Sequence, residues 1–386
     1  MPASATKNRT TNPKNAEELA KVVRDCVDTR TPLIDYGIAH ESLGHAPPAE
    51  HTKLVQRRHG SGIIEHYDRD LIVRAAAGAR IRDLNKALKK KDQFLPIDAD
   101  DDMTLGEAIN HNVYGPLRVR YGSIRDLLLG LGYIDGEGRD VRVGGRTVKN
   151  VAGYDLTRFM VGGLGEMGIV HEATVRTYAI PKQTVTVTIK TDAPSRMDEQ
   201  LTEWMISPAA PTHLAMHFDD GDWLIQVGYH GSNNSCEAQY EALRRLALAA
   251  AASGPFNIID TLHQSFAEDH ASRIEWQRWR REATALVKII VPPSQTGAMC
   301  EKIAKWNQEK LSIRALPVHG CIFAGGDVDA AELDGLIGDS IRMWYARPDS
   351  IAPFGPPQAD WPMLQRLKNT MDPHGILNPS RFLKVK

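Results

Sequence analysis

The chain has 386 residues and a formal net charge of −1, with 47 lysines and arginines against 48 acidic residues. This length predicts two or three domains, and the balanced charge disfavours a nucleic-acid or anionic-membrane binder, which would carry a basic surplus. The polar stretch 1–19 has no apolar core of a secretory signal, and the Ala/Leu run 246–254 is too short to span a bilayer. We therefore expect a cytoplasmic protein without a transmembrane segment, which could reach a membrane only through partners.

The N-terminal part predicts a mixture of helices and strands after a disordered tail at 1–14. Helical spacing begins after Asn15, a candidate N-cap, and the hairpin at the end of this part turns at an Asp-Gly pair. The predicted elements are a helix at 15–27, a strand at 31–37, strand–turn–strand at 62–81, a helix at 81–92, a Gly-rich irregular stretch at 95–130 and the hairpin at 127–145.

After Pro181 the pattern changes to longer alternating strands and longer helices. The predicted strands are 184–191, 212–218, 223–231, 285–293 and a pair within 312–327. The predicted helices are 235–253, 296–310, 329–345 and, after a Pro-rich link, 361–371. We place the main domain boundary near residue 181.

The four cysteines are far apart, with no two within twenty residues of each other: Cys26, Cys236, Cys300 and Cys321. This spacing excludes C-x-x-C zinc sites and clustered iron–sulfur ligands, so we expect buried thiols. If the protein transfers electrons, an organic cofactor must carry them.

Gly163, Gly165 and Gly168 form a G-x-G-x-x-G motif, the spacing of dinucleotide-binding loops. A Rossmann loop follows a strand and opens a helix, whereas here helical spacing at 154–162 precedes the glycines and an alternating strand at 169–176 follows. The inverted order argues against a Rossmann domain. A helix C-cap followed by a turn accounts for one or two of the glycines. We favour a loop whose backbone closely approaches a cofactor.

Residues 144–176 contain K-N-x-x-G-Y-D-L followed by G-x-x-G-x-x-G-I. This stretch resembles the FAD-binding domain of the vanillyl-alcohol oxidase/p-cresol methylhydroxylase (PCMH) family, in the branch of FAD-binding E subunits of glycolate oxidase (glycolate dehydrogenase). The resemblance covers roughly 30–180 and the closing D-P-x-G-x-x-N-P in 371–383, and is only topological in 182–360. It implies an α+β fold: a PCMH-type FAD-binding domain of two α+β subdomains at 15–181, an α+β cap domain at 182–360, and a C-terminal helix and tail at 361–386 that return to the FAD domain.

The resemblance also implies the cofactor-binding residues. The pyrophosphate would lie on a backbone loop formed by Gly37, Ile38, Ala39, His40, Glu41 and Ser42. The four residues from Ile38 to Glu41 replace residues that are normally small in the family. The R-G-G-G-H pattern of covalent flavin attachment is not present there, so we expect non-covalent FAD.

The remaining implied cofactor contacts come from three Gly-containing stretches. Thr104 and Gly106 would lie against the isoalloxazine or ribityl chain, with Glu107 where the family has a second glycine. Asp126 either belongs to a backbone shelf or caps the next helix. The implied contacts in the other two stretches are Gly122, Ser123 and Asp126, then Gly165, Gly168 and Ile169.

The catalytic residues stay unassigned; Lys149, Asn150 and Tyr154 are candidates near the flavin by resemblance. Related dehydrogenases hold a divalent metal with paired histidines and a Glu-His pair in the cap. Because His319 stands alone in 312–327, we expect no metal.

The resemblance therefore implies a subunit of a glycolate oxidase-like complex that takes part in oxidising a small 2-hydroxy acid, glycolate to glyoxylate, through its flavin. The partners would be a catalytic 2-hydroxyacid flavoprotein and an iron–sulfur subunit, with no nucleic acid. Two alternatives remain: a stand-alone FAD-dependent oxidoreductase acting on another alcohol or hydroxy acid, and a scaffold subunit whose FAD site has degenerated.

Overall fold

The structure is a computed structural model that describes most of the chain. The described residues are 9–35, 53–55, 62–145, 155–251, 256–264, 269, 283–307, 309–348 and 350–379.

The N-terminal part contains short helices and two main groups of strands. Its strands are β1 (Arg9–Thr11), β2 (Leu33–Asp35), β3 (Lys53–Val55), β4 (Ile63–Tyr67), β5 (Ile72–Ala76), β6 (Gln93–Phe94), β7 (Leu128–Ile134), β8 (Asp140–Gly144), β9 (Ile169–Arg176) and β10 (Tyr178–Ala179). Its helices are α1 (Ala16–Asp28), α2 (Ile81–Leu88), α3 (Leu105–Asn110), α4 (Arg118–Tyr121), α5 (Ile124–Leu127) and α6 (Leu156–Phe159).

The C-terminal part alternates longer strands with longer helices. Its strands are β11 (Gln183–Thr191), β12 (His213–Asp219), β13 (Asp222–Gly231), β14 (Asn257–Gln264), β15 (Ala285–Ile290), β16 (Leu311–Leu316), β17 (Cys321–Gly326) and β18 (Ile341–Ala346). Its helices are α7 (Met197–Ile206), α8 (Asn233–Ala251), α9 (Thr296–Trp306), α10 (Ala330–Ile337) and α11 (Trp361–Met371).

Two separate sheets organise the N-terminal part. Strands β1, β3 and β2 form a parallel sheet, and β4-β5-β9-β7-β8 form an antiparallel one. Residues such as Val73, Leu131 and Val175 project from the antiparallel sheet into a core shared with Leu84 and Ile109 of the helices. The helix predicted at 15–27 is confirmed, because Asn15 accepts a hydrogen bond from the Glu18 amide at 2.8 Å.

The C-terminal part is one eight-stranded antiparallel sheet in the order β14-β11-β13-β12-β16-β17-β15-β18, here called the cap sheet. Side chains alternate across a strand, so one set of positions, including Val187, Ile225 and Ile313, is buried under α7 to α10. The opposite positions carry many polar groups, and α4 packs against that second face at β12. The two parts together confirm the predicted α+β class.

Two predicted segments differ from the structure. The tail expected at 1–14 includes strand β1, because its backbone pairs with β3. The helix expected over 329–345 ends after Ile337, where Gly338 adopts φ +64° and stops the helix. The rest of that segment pairs with β15 as β18, because Trp344 is buried in the core of the sheet. Tertiary burial thus decides the second half of 329–345.

The C-terminal helix α11 is fixed to the N-terminal part by a buried ammonium group. Lys368 is 2% exposed, and its three donors are matched by three acceptors: Glu166 O at 2.6 Å, Asp372 Oδ2 at 2.7 Å and Leu377 O at 2.8 Å. Asp372 Oδ2 also accepts the Leu377 amide at 2.9 Å. A buried charge is tolerated only with such complete pairing.

The chain then continues alongside β2. Leu33 donates its amide to Ile376 O, and Asn378 donates its amide to Leu33 O, both at 2.8 Å. We call Lys368, Asp372 and Asn378 the C-terminal clasp. The clasp accounts physically for the closing D-P-x-G-x-x-N-P, since the aspartate and the asparagine of that motif are both buried and hydrogen-bonded.

We predict that Lys368→Met lowers the free energy of unfolding by about 3–5 kcal/mol, because it leaves the buried Asp372 carboxylate without its cation. Chemical denaturation followed by circular dichroism measures this. The matched control is Lys305→Met, which breaks an exposed i,i+4 pair with Glu301 and should cost less than about 1 kcal/mol. Equal losses in the two variants would contradict a special role for the clasp.

Candidate functional site

The glycine-rich loop, here called the glycine loop, comprises residues 162–168 and packs against the C-terminal end of α3. The Gly162 amide donates to Ile109 O at 3.0 Å, and the Leu164 amide donates to Asn110 O at 3.1 Å. These bonds satisfy carbonyl groups that have no partner inside a helix of this length. The loop is therefore held as a fixed surface rather than as an open turn.

Gly165 and Gly168 are required by close protein neighbours. Gly165 has φ +74°, and a Cβ there would lie 2.1 Å from Asn378 Nδ2. A Cβ on Gly168 would lie 2.5 Å from Tyr133 Cδ2. Both residues thus allow the loop to pack against the C-terminal clasp and β7, and their predicted contact with the cofactor stays a prediction.

The exit of β2 meets this loop. Asp35 donates its amide to Asn378 Oδ1 at 2.8 Å, and its carboxylate accepts a 3.3 Å bond from Asn110 Nδ2. Asn378 Nδ2 donates to Leu164 O at 2.8 Å. The predicted pyrophosphate segment starts directly after Asp35, so one asparagine anchors the entrance of that segment and the glycine loop together. Sequence reasoning did not single out Asn110 or Asn378, although Asn378 belongs to the closing motif.

Several predicted site residues lie outside the described part of the chain. They are Gly37, Ile38, Ala39, His40, Glu41 and Ser42 of the pyrophosphate loop and the flavin-side candidates Lys149, Asn150 and Tyr154.

Thr104 and Glu107 form a capping box at the start of α3. Glu107 Oε2 accepts from the Thr104 amide at 2.7 Å and from Thr104 Oγ1 at 2.9 Å. The next amides are also engaged, since Leu105 donates to Ala79 O and Gly106 donates to Ala77 O, both at 2.8 Å. The carboxylate of Glu107 is therefore turned back onto its own helix. The predicted cofactor contacts of Thr104 and Gly106 stay predictions.

Ser123 and Asp126 form a second capping box. Asp126 Oδ2 accepts from the Ser123 amide and from Ser123 Oγ, both at 2.8 Å. Burial acts to raise the pKa of Asp126, but these bonds outweigh it and the net shift is downward. Gly122 has φ +81°, and a Cβ there would lie 2.7 Å from the Asp126 side chain. Of the two interpretations of Asp126, helix capping is the one that the structure shows.

Ile169 lies in the hydrophobic core. It is 1% exposed and belongs to a cluster with Leu19 and Val23 of α1, and its backbone pairs with Ile134 of β7. Its predicted position against the adenine or the flavin stays a prediction.

One buried polar atom near the glycine loop fits a ligand with hydrogen-bond donors. Among the described residues, Asn112 Oδ1 is buried and has no hydrogen-bond partner. A Cβ built on Gly162 would meet only Asn112 Cβ, at 3.5 Å, so little described structure fills this corner. The ribityl and ribose hydroxyls and the adenine amino group of FAD are donors of the required kind. Asn112 was not found from the sequence, because an isolated asparagine carries no pattern.

The second face of the cap sheet meets the segment before α4 through a cationic cluster. Lys288 Nζ lies 4.6 Å from the centroid of the Tyr114 ring, and Arg118 covers the same ring at 4.3 Å. The Tyr114 hydroxyl donates to Cys321 Sγ at 3.5 Å. Burial raises the pKa of Tyr114 to about 12, so the phenol stays neutral at physiological pH.

Two histidines of the C-terminal part are held neutral, His217 of β12 and His319 of the turn between β16 and β17. Burial, aided by the nearby Arg314, lowers the pKa of His217 to about 3. Burial, aided by Arg118 and opposed by Asp126, lowers the pKa of His319 to about 4. Neutral imidazoles can accept protons or bind metals, but the described structure does not join these two histidines into one metal-binding cluster.

Residues 9–144 match the protein family described as FAD binding domain. Over 379 residues the chain is 26% identical to the glycolate oxidase subunit GlcE of Escherichia coli, covering 95% of this chain and 97% of that protein. It is 33% identical over 172 residues to the glycolate oxidase subunit GlcD of Bacillus subtilis, covering 44% of this chain and only 36% of GlcD. The structure of alkyldihydroxyacetonephosphate synthase superposes with a TM-score of 0.71 at 15% identity, covering 98% of this chain and 78% of that one.

The chain has a fold of the PCMH type, with an FAD binding domain matched at residues 9–144 and the cap sheet after it. Within that class, the resemblance seen in the sequence is confirmed: the chain is similar over almost its whole length to the E subunit of glycolate oxidase. In the described part of the chain, no helix has both the length and the apolar character needed to cross a bilayer.

We predict that Gly165→Val abolishes flavin binding and leaves the cap folded. The side chain would displace Asn378 and force a disfavoured backbone, at a cost of about 1–3 kcal/mol before any clash. Flavin absorbance per chain measures binding. Six of the seven tryptophans lie between residues 182 and 360 and Trp361 begins α11, so tryptophan fluorescence reports mainly on the cap. Gly62→Val is the control, since a Cβ there meets nothing within 4 Å. Full flavin occupancy in Gly165→Val would refute the role given to this loop.

We also predict that stability falls on acidification from pH 6.5 to pH 4. The folded pKa values of His217 and His319 are depressed below the ordinary 6.5, so the unfolded chain binds more protons in this window and stability rises with pH. In the His217→Gln/His319→Gln double variant, the slope of unfolding free energy against pH should drop by up to about 1.4 kcal/mol per pH unit for each histidine. His263→Gln, at an exposed position, should keep the original slope.

Proposed function

We propose that this protein is the FAD-binding subunit of a glycolate oxidase-like complex that oxidises a small 2-hydroxy acid, with glycolate to glyoxylate as the reaction. The observation that carries the proposal is the end-to-end match to GlcE. The match to GlcD covers less than half of this chain, so the whole arrangement of FAD domain and cap is of the E-subunit kind.

The described residues suit a role in holding FAD. Asp35 and Asn378 would present the pyrophosphate loop, Gly37 to Ser42, and Asn112 would accept a hydrogen bond from a cofactor hydroxyl or amino group. Bound FAD would supply the acceptor for a hydride equivalent from the alcohol carbon, and the electrons would then leave the flavin. We propose non-covalent attachment, because the sequence has no R-G-G-G-H pattern.

The second face of the cap sheet supplies positive charge that suits an anionic substrate. Lys288 is held against Tyr114, and among the described residues no acidic side chain pairs with its ammonium group. A hydroxy-acid carboxylate or a reduced anionic flavin would provide the missing counter-charge. Lys149, Asn150 and Tyr154 are proposed to line the flavin from the FAD domain.

The partners that we propose are a catalytic 2-hydroxyacid flavoprotein and an iron–sulfur protein in the cytoplasm. The cysteine spacing supports an external electron carrier, because it provides no cluster ligands in this chain. The alternative is an FAD-degenerate scaffold; Glu107, which stands where the family has a glycine, caps its own helix.

The test is purification of an affinity-tagged chain from its native host. We expect a yellow complex that contains a second flavoprotein and an iron–sulfur protein and that oxidises glycolate. Acid precipitation should release FAD into the supernatant. The control is the tagged Gly165→Val chain, which should lose the flavin of this subunit.

The other outcomes are equally informative. A chain that elutes alone and oxidises hydroxy acids at ordinary enzymatic rates establishes the stand-alone oxidoreductase. A colourless chain within an active complex establishes the scaffold. Flavin that stays with the acid precipitate contradicts non-covalent attachment.

A further inference from the structure

Three potential metal ligands meet in a buried cluster on the second face of the cap sheet. His213 begins β12, His230 lies near the end of β13, and Asp269 comes from a later part of the chain. His213 and Asp269 are 3% and 1% exposed, and the His230 side chain is 2% exposed. One donor atom from each residue lies within 4.8 Å of those from the other two. We call these three residues the His-His-Asp cluster.

The spacing within the cluster suits a single small cation. His230 Nε2 lies 3.1 Å from Asp269 Oδ2, and His213 Nε2 lies 3.9 Å from Asp269 Oδ1. Ligands about 2.0–2.1 Å from a tetrahedral zinc ion are about 3.3 Å apart, so these separations lie on either side of the ideal value.

The surroundings orient both imidazoles. The Tyr121 hydroxyl lies 3.1 Å from His230 Nδ1, which is the kind of outer hydrogen bond that fixes the tautomer of a metal-binding histidine. Gly228 lies opposite His213 in the sheet, and a Cβ there would be 1.7 Å from His213 Cε1. The ring of His213 therefore occupies space that only a glycine leaves open.

We propose that the His-His-Asp cluster binds one divalent transition-metal ion, with zinc as the best match to two imidazoles and one carboxylate. The ion joins β12, β13 and Asp269, and Tyr121 links it to α4 of the N-terminal part. Its role is to hold the cap against the FAD domain. The cluster does not include His319. The proposal replaces the expectation, drawn from the sequence, that the chain holds no metal. It does not depend on the proposed function.

The test is metal analysis of the purified full-length chain by mass spectrometry, followed by equilibrium dialysis of the chelator-treated chain against zinc. We expect one zinc per chain, and we expect chelation to lower the melting temperature. His230→Gln and Asp269→Asn should lose the bound zinc. His217→Gln is the matched control, because it changes another buried histidine of β12 outside the cluster and should retain zinc.

A milder variant tests the proposal even if the variants that remove a ligand misfold. Tyr121→Phe keeps all three ligands and removes only the outer hydrogen bond, so it should weaken zinc binding by about 10–100-fold. The proposal is overturned if the wild-type chain neither contains nor takes up zinc, because the cluster is then a hydrogen-bonded triad only. It is also overturned if Asp269→Asn, with an unchanged circular dichroism spectrum, binds zinc as tightly as the wild type.

Discussion

The arrangement of the cofactor region depends on one buried positive charge. Lys368 satisfies its three donors with Glu166 O, Leu377 O and the Asp372 carboxylate, and so fixes α11 and the following turn onto the N-terminal part. Because an unpaired ammonium could not stay in that position, the helix has essentially one place to dock. That docking delivers Asn378 to the exit of β2, where it contacts both Asp35 and the glycine loop.

The glycines of the glycine loop are required for packing within the protein, whereas such a motif is usually explained by a close approach to a dinucleotide. Gly165 and Gly168 bring the loop against Asn378 and Tyr133, which are parts of the protein itself. The loop thereby also supports Asn378, which contacts Asp35 at the exit of β2, and the loop's own contact with the cofactor stays a prediction. This surface forms only when Asp35, near the start of the chain, meets Gly165 in its middle and Asn378 near its end.

Because side chains alternate along each strand, the apolar core of the cap sheet and its polar groups lie on opposite faces. One face buries apolar side chains under four helices, and the other carries the groups with unusual electrostatics, including Lys288, His217 and the His-His-Asp cluster. The helix α4 and Tyr114 cover part of that second face, and burial there lowers the pKa of His217. The same covering makes the face suitable for binding an anion near Lys288 and a metal ion at the cluster.

The sequence alone determined the elements whose signals are local. The N-cap at Asn15, the hairpin of β7 and β8, six of the eight strands of the cap sheet and the inverted order around the glycines all follow from periodicity and turn chemistry over a few residues. The capping boxes of Glu107 and Asp126 are local as well, since each joins residues three positions apart. Tertiary structure decided the strand β18 and the meeting of Asn110, Asn378 and Asp35. Those depend on contacts between residues up to several hundred positions apart, and neither periodicity nor spacing carries information about which distant side chains will be buried together.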